Sequence, residues 1–413
     1  MYFDTGNKRL TAMISTIDPI DGGVPTMTRW ICQVLEEINI KPILAWYAPW
    51  RNHPKLSVPL YRVLDRRPGC YRKYAFDKYE GYGIGAWLPE LEFTHYMPTK
   101  MWKEISQKCQ LHIVVSGNPL ACVPFIKLDL PFIAWIATPW EADRIDRVKR
   151  FGLFRRWLDT ILNQRMLSRS EKEVLSCKNA DILTLSNYTA RQFAEQVKNK
   201  NYTTMLMPIN EQKFYPDLRR LVPWRIGFSG RYGDPRKNIT LLINAVKRIR
   251  DLNYPVELIL VGERNPAEIM TLVRDGNLSD IVTLYTHMSP NELGYLLQTF
   301  DVFVIPSHQE GLCISALEAM ACGVPIVSTR CGGPEDYVLP GLTGILVEST
   351  PENLSDAIVS VCKDRSLRDR LSRGAIEWIA NHASEACSRD LLFHHLKVLM
   401  HKNGLANKTD LLQ

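Results

Sequence analysis

Glu310 and Glu318 stand eight positions apart in the run Glu310-Gly-Leu-Cys-Ile-Ser-Ala-Leu-Glu318, which continues as Ala-Met-Ala-Cys-Gly-Val-Pro325. If a helix begins near Cys313, Glu310 lies at the positive end of its dipole, and Glu318 lies roughly 10 Å deeper at about 1.5 Å per residue. Two carboxylates so separated can hold hydroxyls at different ends of one elongated, sugar-containing ligand. Between them, the free amides of Gly311, Leu312 and Cys313 could bind an anion such as a diphosphate. A plainer reading makes Glu310 a charge that compensates the dipole and Glu318 a solvated helix residue. The apolar neighbours Ala316, Leu317, Ala319, Met320 and Ala321 weigh against it, because an unpartnered carboxylate among them is costly.

A second set of chemical groups follows the apolar run Ile226-Gly-Phe-Ser229: Gly230, Arg231, Arg236 and Lys237. Ligands of parallel sheets bind at the carboxyl ends of the strands. Two cations placed there could neutralise a departing diphosphate, a task otherwise given to a metal ion, although a merely solvated basic loop has the same composition. Gly262, Thr286 and His287 end the next two apolar runs and would line the same crevice, but His287 and His308 read equally well as loop histidines without a role. No Asp-x-Asp pair occurs, which argues against a carboxylate-held Mg²⁺ or Mn²⁺. No spacing supports a Ser-His-Asp or Cys-His arrangement.

The elements that must position these groups alternate. Before residue 205, strands are predicted at 10–17, 42–46, 111–116, 132–136 and 181–185, with helices at 26–37, 120–128, 155–177 and 189–197. Gly22-Gly23 forms a tight turn after the first strand, either to bring amides close to a ligand or only to turn the chain. The interval 48–110 reads as an irregular insertion. A proline-bounded connector, Pro208 to Pro216, leads into a second series: strands at 224–229, 256–261, 281–285, 301–305 and 324–328, and helices at 239–252, 266–274, 290–298 and 313–321. Past Val347 the pattern is helical, at 351–362, 366–379 and 384–401. Such alternation implies two doubly wound α/β domains with a cleft between them.

Composition bounds the rest. The 413 residues, 46% hydrophobic and 23% charged, have room for two full cores. No apolar run is long enough to span a bilayer and no signal peptide is evident, so a cytoplasmic protein is expected. Ten cysteines are scattered without CxxC pairs and read as reduced core residues, with no indication of zinc. A net charge of +7 does not by itself separate nucleic acid, anionic lipid and nucleotide partners.

The Glu310-x7-Glu318 run, with Gly332-Gly333-Pro-Glu-Asp, Gly341-Leu-Thr-Gly344, Arg231 with Lys237, the proline-bounded connector and the Gly22-Gly23 loop, resembles the retaining, metal-independent glycosyltransferases of family 4. The resemblance is strong over 205–380 and weak over 48–180. It implies a GT-B fold: an N-terminal acceptor-binding domain (1–217, joined by the C-terminal helix 384–413) and a nucleotide-sugar-binding domain (218–383), with the last helix crossing back and Trp378 near its kink. It also implies that Glu310, Arg231 and Lys237 are catalytic. Glu318, Gly230, Gly311, Leu312, Cys313, Gly262, Thr286, His287, Gly22 and Gly23 would contact a nucleoside diphosphate sugar, with no metal or other cofactor. Many relatives carry a histidine after the strand equivalent to 132–136. This chain has Ala137-Thr-Pro-Trp-Glu141 there, so the histidine's role is either absent or passed to Thr138, Glu141 or a backbone group on the acceptor side.

The expected reaction moves a sugar to an acceptor hydroxyl, lipid-linked or otherwise, in synthesis of a cell-surface glycan or glycolipid. The segment 144–158 interleaves basic and large apolar residues, as helices on anionic membranes do, so weak association with the inner face of the membrane is expected. A helix with a buried stripe and a solvated basic face has the same pattern. Nucleic acid is not expected, since no recognised motif accompanies the charge. Two readings of other kinds remain: a sugar-nucleotide epimerase of the same architecture, and a non-catalytic subunit, which would be expected to lose the acidic or the Arg/Lys pair. Soluble small-molecule or protein acceptors are a further alternative within the transferase reading.

Overall fold

A computed structural model describes residues 9–20, 22–142, 144, 148, 152, 156, 159–198, 200–217, 224–231, 233–262, 267–286 and 288–412. The chain divides into two compact units. One runs through Leu185 and adds Thr189–Met205 and the stretch from Arg389; the other holds Ser186–Tyr188 and Leu206–Ser388.

The first unit carries β1 (Thr11–Thr16), β2 (Lys41–Tyr47), β3 (Cys70–Ala75), β4 (Tyr79–Ile84), β5 (Leu111–Ser116), β6 (Phe132–Ile136), β7 (Ala180–Thr184) and β8 (Thr203–Thr204). They form one sheet in the order β3-β4-β2-β1-β5-β6-β7-β8, parallel except for the β3–β4 hairpin. Its central strands β5 and β6 are buried along their whole length, which is why they read as mainly apolar runs rather than alternating ones.

The hairpin lies in the interval read as irregular, and the reason for the difference is physical. Strand β4 contains Gly81 and Gly83, because aromatic rings occupy the space where side chains would stand. A Cβ on Gly81 would come 2.6 Å from the Trp46 ring, and one on Gly83 would come 2.2 Å from that of Tyr71. Glycines that make room for a neighbour weaken a strand's own sequence signal. A short helix, Lys100–Ser106, follows in the same interval.

The second unit carries β9 (Arg225–Ser229), β10 (Glu257–Gly262), β11 (Val282–Thr286), β12 (Val302–Ile305), β13 (Ile326–Thr329) and β14 (Gly344–Val347). All pair in parallel, in the order β11-β10-β9-β12-β13-β14. Its helices Ile239–Asp251 and Pro351–Lys363 bury Leu242, Val246, Ile358 and Val361 in a core shared with Ile226, Leu258, Val302 and Val304. Because the chain runs from β9 outward to β10 and β11 on one side and then to β12 and β13 on the other, the strand order reverses between β9 and β12. The crevice beyond that reversal is where such a sheet binds ligands.

Trp378, expected near a kink, lies in the last turns of the helix Arg365–His382, shortly before the break that separates it from the next helix, its ring stacked on His382 at 4.7 Å. The next helix, Glu385–Lys402, passes from the second unit into the first at Arg389. There His395 Nδ1 lies 2.6 Å from Asp181 Oδ2 and Arg389 Nη1 donates to Glu37 Oε2 at 2.7 Å. Among the described residues no helix is long and apolar enough to cross a membrane.

Candidate active site

The loops that follow β9 and β12, neighbours at the strand-order reversal, are joined to each other. The His308 amide donates to the Arg236 carbonyl at 2.7 Å, and Ser315 Oγ donates to the Ser229 carbonyl at 2.8 Å. After β9 the sequence Asp234-Pro235 dictates a capped turn. The Asp234 carboxylate accepts from the Arg236 amide at 3.1 Å, with proline at the first position of the 3₁₀ turn Pro235–Lys237. That turn presents Lys237 to Glu310: Lys237 Nζ donates to Glu310 Oε1 at 2.6 Å, and Ser307 Oγ donates to the same oxygen at 2.7 Å.

The backbone of Glu310 is held equally firmly. Its amide donates to the Cys331 carbonyl at 2.7 Å, and its carbonyl accepts from the Gly333 amide at 2.9 Å, so the loop after β12 is bridged to the loop after β13. A methyl group on Gly333 would lie 2.1 Å from the Gly311 carbonyl oxygen and 2.8 Å from the Leu312 nitrogen, backbone atoms that cannot swing aside. Gly333→Ala is expected to destabilise the protein by about 1–3 kcal/mol; thermal unfolding of the variant beside the wild type measures this.

Past Glu310 the chain enters the helix Ile314–Ala321 through Cys313, which takes the left-handed conformation, φ 68°, uncommon for a residue with a side chain. The Tyr337 hydroxyl steadies this entry by donating to the Leu312 carbonyl at 2.7 Å. The amides of Gly311, Leu312 and Cys313 make no hydrogen bond among the described residues. Glu318 sits further along the helix, half-buried, with no side-chain partner among the described residues.

Electrostatics follow from this packing. Burial alone would lower the Lys237 ammonium, but the charge of Glu310 and the neighbouring Cys313 outweigh it and hold the group above the ordinary lysine range, even though the nearby Arg231 charge opposes this. Burial, followed by the Glu310 charge, pushes the Cys313 thiol up to about 11. Burial pushes the Glu318 carboxyl up to about 8.

The remaining residues singled out by sequence divide into several groups. Gly262 and Thr286 are in register at the carboxyl ends of β10 and β11. Arg231 is exposed and pairs with Asp234 at 3.2 Å, while Arg236 pairs with the same carboxylate at 2.8 Å. The Gly230 amide is already used, donating to the Val261 carbonyl at 3.0 Å. His287 lies outside the described residues. In the first unit, Gly22 and Gly23 open the helix Gly23–Glu37, with Gly22 at φ 122°. The Thr138 hydroxyl is occupied, donating to the Gly117 carbonyl at 2.9 Å, and Glu141 is exposed.

Sequence reasoning missed Ser307, Asp234 and Gln309. The first two carry no motif of their own and act only through the turn that places them. The Gln309 amide is buried with neither its oxygen nor its nitrogen paired. Among the described residues no three His, Cys, Asp or Glu gather as metal ligands.

Two parallel α/β units of this kind, with a basic turn and an acidic helix start at the strand reversal of the second, define the GT-B fold of glycosyltransferases. Sucrose-phosphate synthase from Thermosynechococcus elongatus superposes with a TM-score of 0.71 over 95% of this chain and 100% of that one, at 20% identity. Anabaena HepE in complex with UDP gives 0.67 over 94% and 100%, at 12% identity. Residues 217–378 match the family described as glycosyl transferases group 1. One curated relative, a D-inositol 3-phosphate glycosyltransferase of Stackebrandtia nassauensis, is 32% identical over 178 residues, 40% of each chain. The chain spans about half or less of the length of the curated relatives it matches.

Proposed function

We propose that the protein is a retaining, metal-independent glycosyltransferase of family 4 that moves a sugar from a nucleoside diphosphate sugar to an acceptor hydroxyl. The bond from the anomeric carbon to the diphosphate oxygen breaks, the bond to the acceptor oxygen forms on the same face, and the acceptor proton passes to the leaving phosphate. The observation that carries this reading is the Lys237–Glu310 pair at 2.6 Å beside three amides and a Glu318 carboxyl that have no partner among the described residues. Lys237 and the amides supply positive charge where the diphosphate develops negative charge. Arg231, exposed and paired with Asp234, would add a second cation, and Glu318 would accept hydroxyls of the nucleotide's ribose. HepE, of the same fold, binds UDP, which supports a nucleotide-bearing donor.

Thermal unfolding of the full chain with UDP-, GDP-, ADP- and dTDP-sugars in chelator tests the donor half. One of them is expected to stabilise the protein by about 2.7 kcal/mol at a hundredfold excess over Kd, with the shift lost in Glu318→Ala. No shift from any of the four would contradict the reading.

The acceptor belongs, in this reading, to a cell-surface glycan or glycolipid made at the inner face of the membrane. Most of the basic, apolar segment 144–158 lies outside the described residues. Next to it, Ile161 and Met166 are exposed beside Arg165, Arg169 and Lys172, which line a surface groove of about 550 Å³. Anionic vesicles should therefore co-float with the protein at low salt and release it at high salt; absence of binding at low salt would rule the membrane out.

A further inference from the structure

Beyond the carboxyl end of β2, the first unit contains a cavity of about 660 Å³, inside the range of about 300–1,000 Å³ usual for small-ligand sites. Tyr47, Trp50, Arg51, Glu90 and His95 contribute to its lining, several of them from the interval that the sequence left unassigned. The Tyr47 and His95 rings are stacked, with centroids 4.2 Å apart and planes inclined by 12°. Both are fixed from outside the stack: the Tyr47 hydroxyl accepts from the Trp50 amide at 3.2 Å, and His95 Nε2 lies 2.9 Å from the Pro89 carbonyl oxygen.

Two other lining carboxylates are already committed. Glu92 and Asp159 both bind the buried Arg144, at 2.7 Å to Arg144 Nη2 and 2.9 Å from Arg144 Nη1 respectively. Among the described residues, the Trp50 indole N–H, the Arg51 guanidinium and one oxygen of Glu90 remain for a ligand, the other Glu90 oxygen accepting from the Leu60 amide at 3.2 Å.

This set selects a chemistry. Flat aromatic rings with negative faces suit the C–H faces of a pyranose, whose hydrogens carry partial positive charge. The free donors and acceptor suit hydroxyl groups. A phosphate would find, among the described residues, the Arg51 guanidinium in a lining that also holds the Glu90 carboxylate, and an acyl chain would have to bury charged groups unpaired.

We propose that this cavity seats an uncharged hexopyranose unit of the acceptor. The proposal rests on the glycosyltransferase reading and names the class of acceptor it uses. Saturation-transfer NMR on the full chain tests it with methyl glycosides of glucose, galactose and mannose, with N-acetylglucosamine, and with glucose 6-phosphate as the charged counterpart. At least one neutral sugar should saturate the wild-type protein. Trp50→Ala, and separately Leu162→Trp, whose larger ring would occupy the cavity, should each weaken its binding tenfold or more. Failure of every neutral sugar to bind, tighter binding of glucose 6-phosphate, or unchanged binding by both variants overturns the proposal. Donor stabilisation, measured on the same samples by thermal unfolding, separates the two claims: if it persists in both variants while sugars fail to bind, only the cavity assignment falls.

Discussion

Replacing Lys237 by alanine is expected to reduce kcat about 10²–10³-fold, the effect of removing one preorganised donor from a site of developing negative charge. The same variant should lose about 3–5 kcal/mol of stability, because it leaves the Glu310 carboxylate, 8% exposed, without its counter-charge. These effects can be separated. Lys237→Met combined with Glu310→Gln removes both charges, so unfolding by denaturant should show most of the stability restored, while turnover remains as low as in the alanine variant. Recovery of turnover along with stability would mean that the pair serves only the fold.

Glu318 gives the second large effect, with a sign that depends on pH. Burial pushes its carboxyl up to about 8, against 4.5 for the same group in an unfolded chain. Between those values the native protein keeps a proton that the unfolded chain has released. Stability conferred by this group is therefore intact below about pH 4.5 and falls as pH rises to about 8. Glu318→Gln removes the ionisation. Relative to wild type it should be near neutral at pH 5 and more stable by on the order of 2 kcal/mol at pH 9, as read from urea unfolding at the two pH values. Nucleotide binding should move the other way. A carboxylate that accepts ribose hydroxyls must ionise when the donor binds, so the wild type should release a proton on binding at pH 7, and the Gln variant should bind about tenfold or more weakly without that release. Calorimetry in buffers of different ionisation enthalpy reads the proton directly.

How much of this was legible in the sequence depended on where the signal resided. Strands β5 and β6 were read with their observed bounds because both faces are buried and most positions are apolar. The β3–β4 hairpin escaped because its pattern is shared between strands: Gly81 and Gly83 carry no signal, and the Trp46 and Tyr71 rings that fill their space belong to other segments. Strand β14 escaped because it opens on a glycine and is only four residues long.

At the site, charge and spacing were visible in Glu310, Glu318 and Lys237. The turn built by Asp234 and Pro235, which brings Lys237 onto Glu310, and the Ser307 hydroxyl on the same oxygen depend on three-dimensional proximity between loops far apart in sequence. Arg231 shows the converse. Its type and place suggested a partner for the diphosphate, yet its side chain is exposed and shares Asp234 with Arg236. The cavity beside Tyr47 was invisible, since its wall comes from the interval whose elements could not be read.

The central claim is transfer with retention, driven by Lys237 and the amides after Glu310. It is tested most directly by proton NMR of the anomeric signal of the product formed in excess chelator, with the sugar nucleotide that stabilises the protein as donor and the bound glycoside as acceptor. The account predicts a glycosidic product whose anomeric configuration matches that of the donor, formed at a rate the chelator leaves unchanged and Lys237→Ala lowers about 10²–10³-fold. An inverted product, a rate restored only by divalent metal, or undiminished transfer by Lys237→Ala would contradict it.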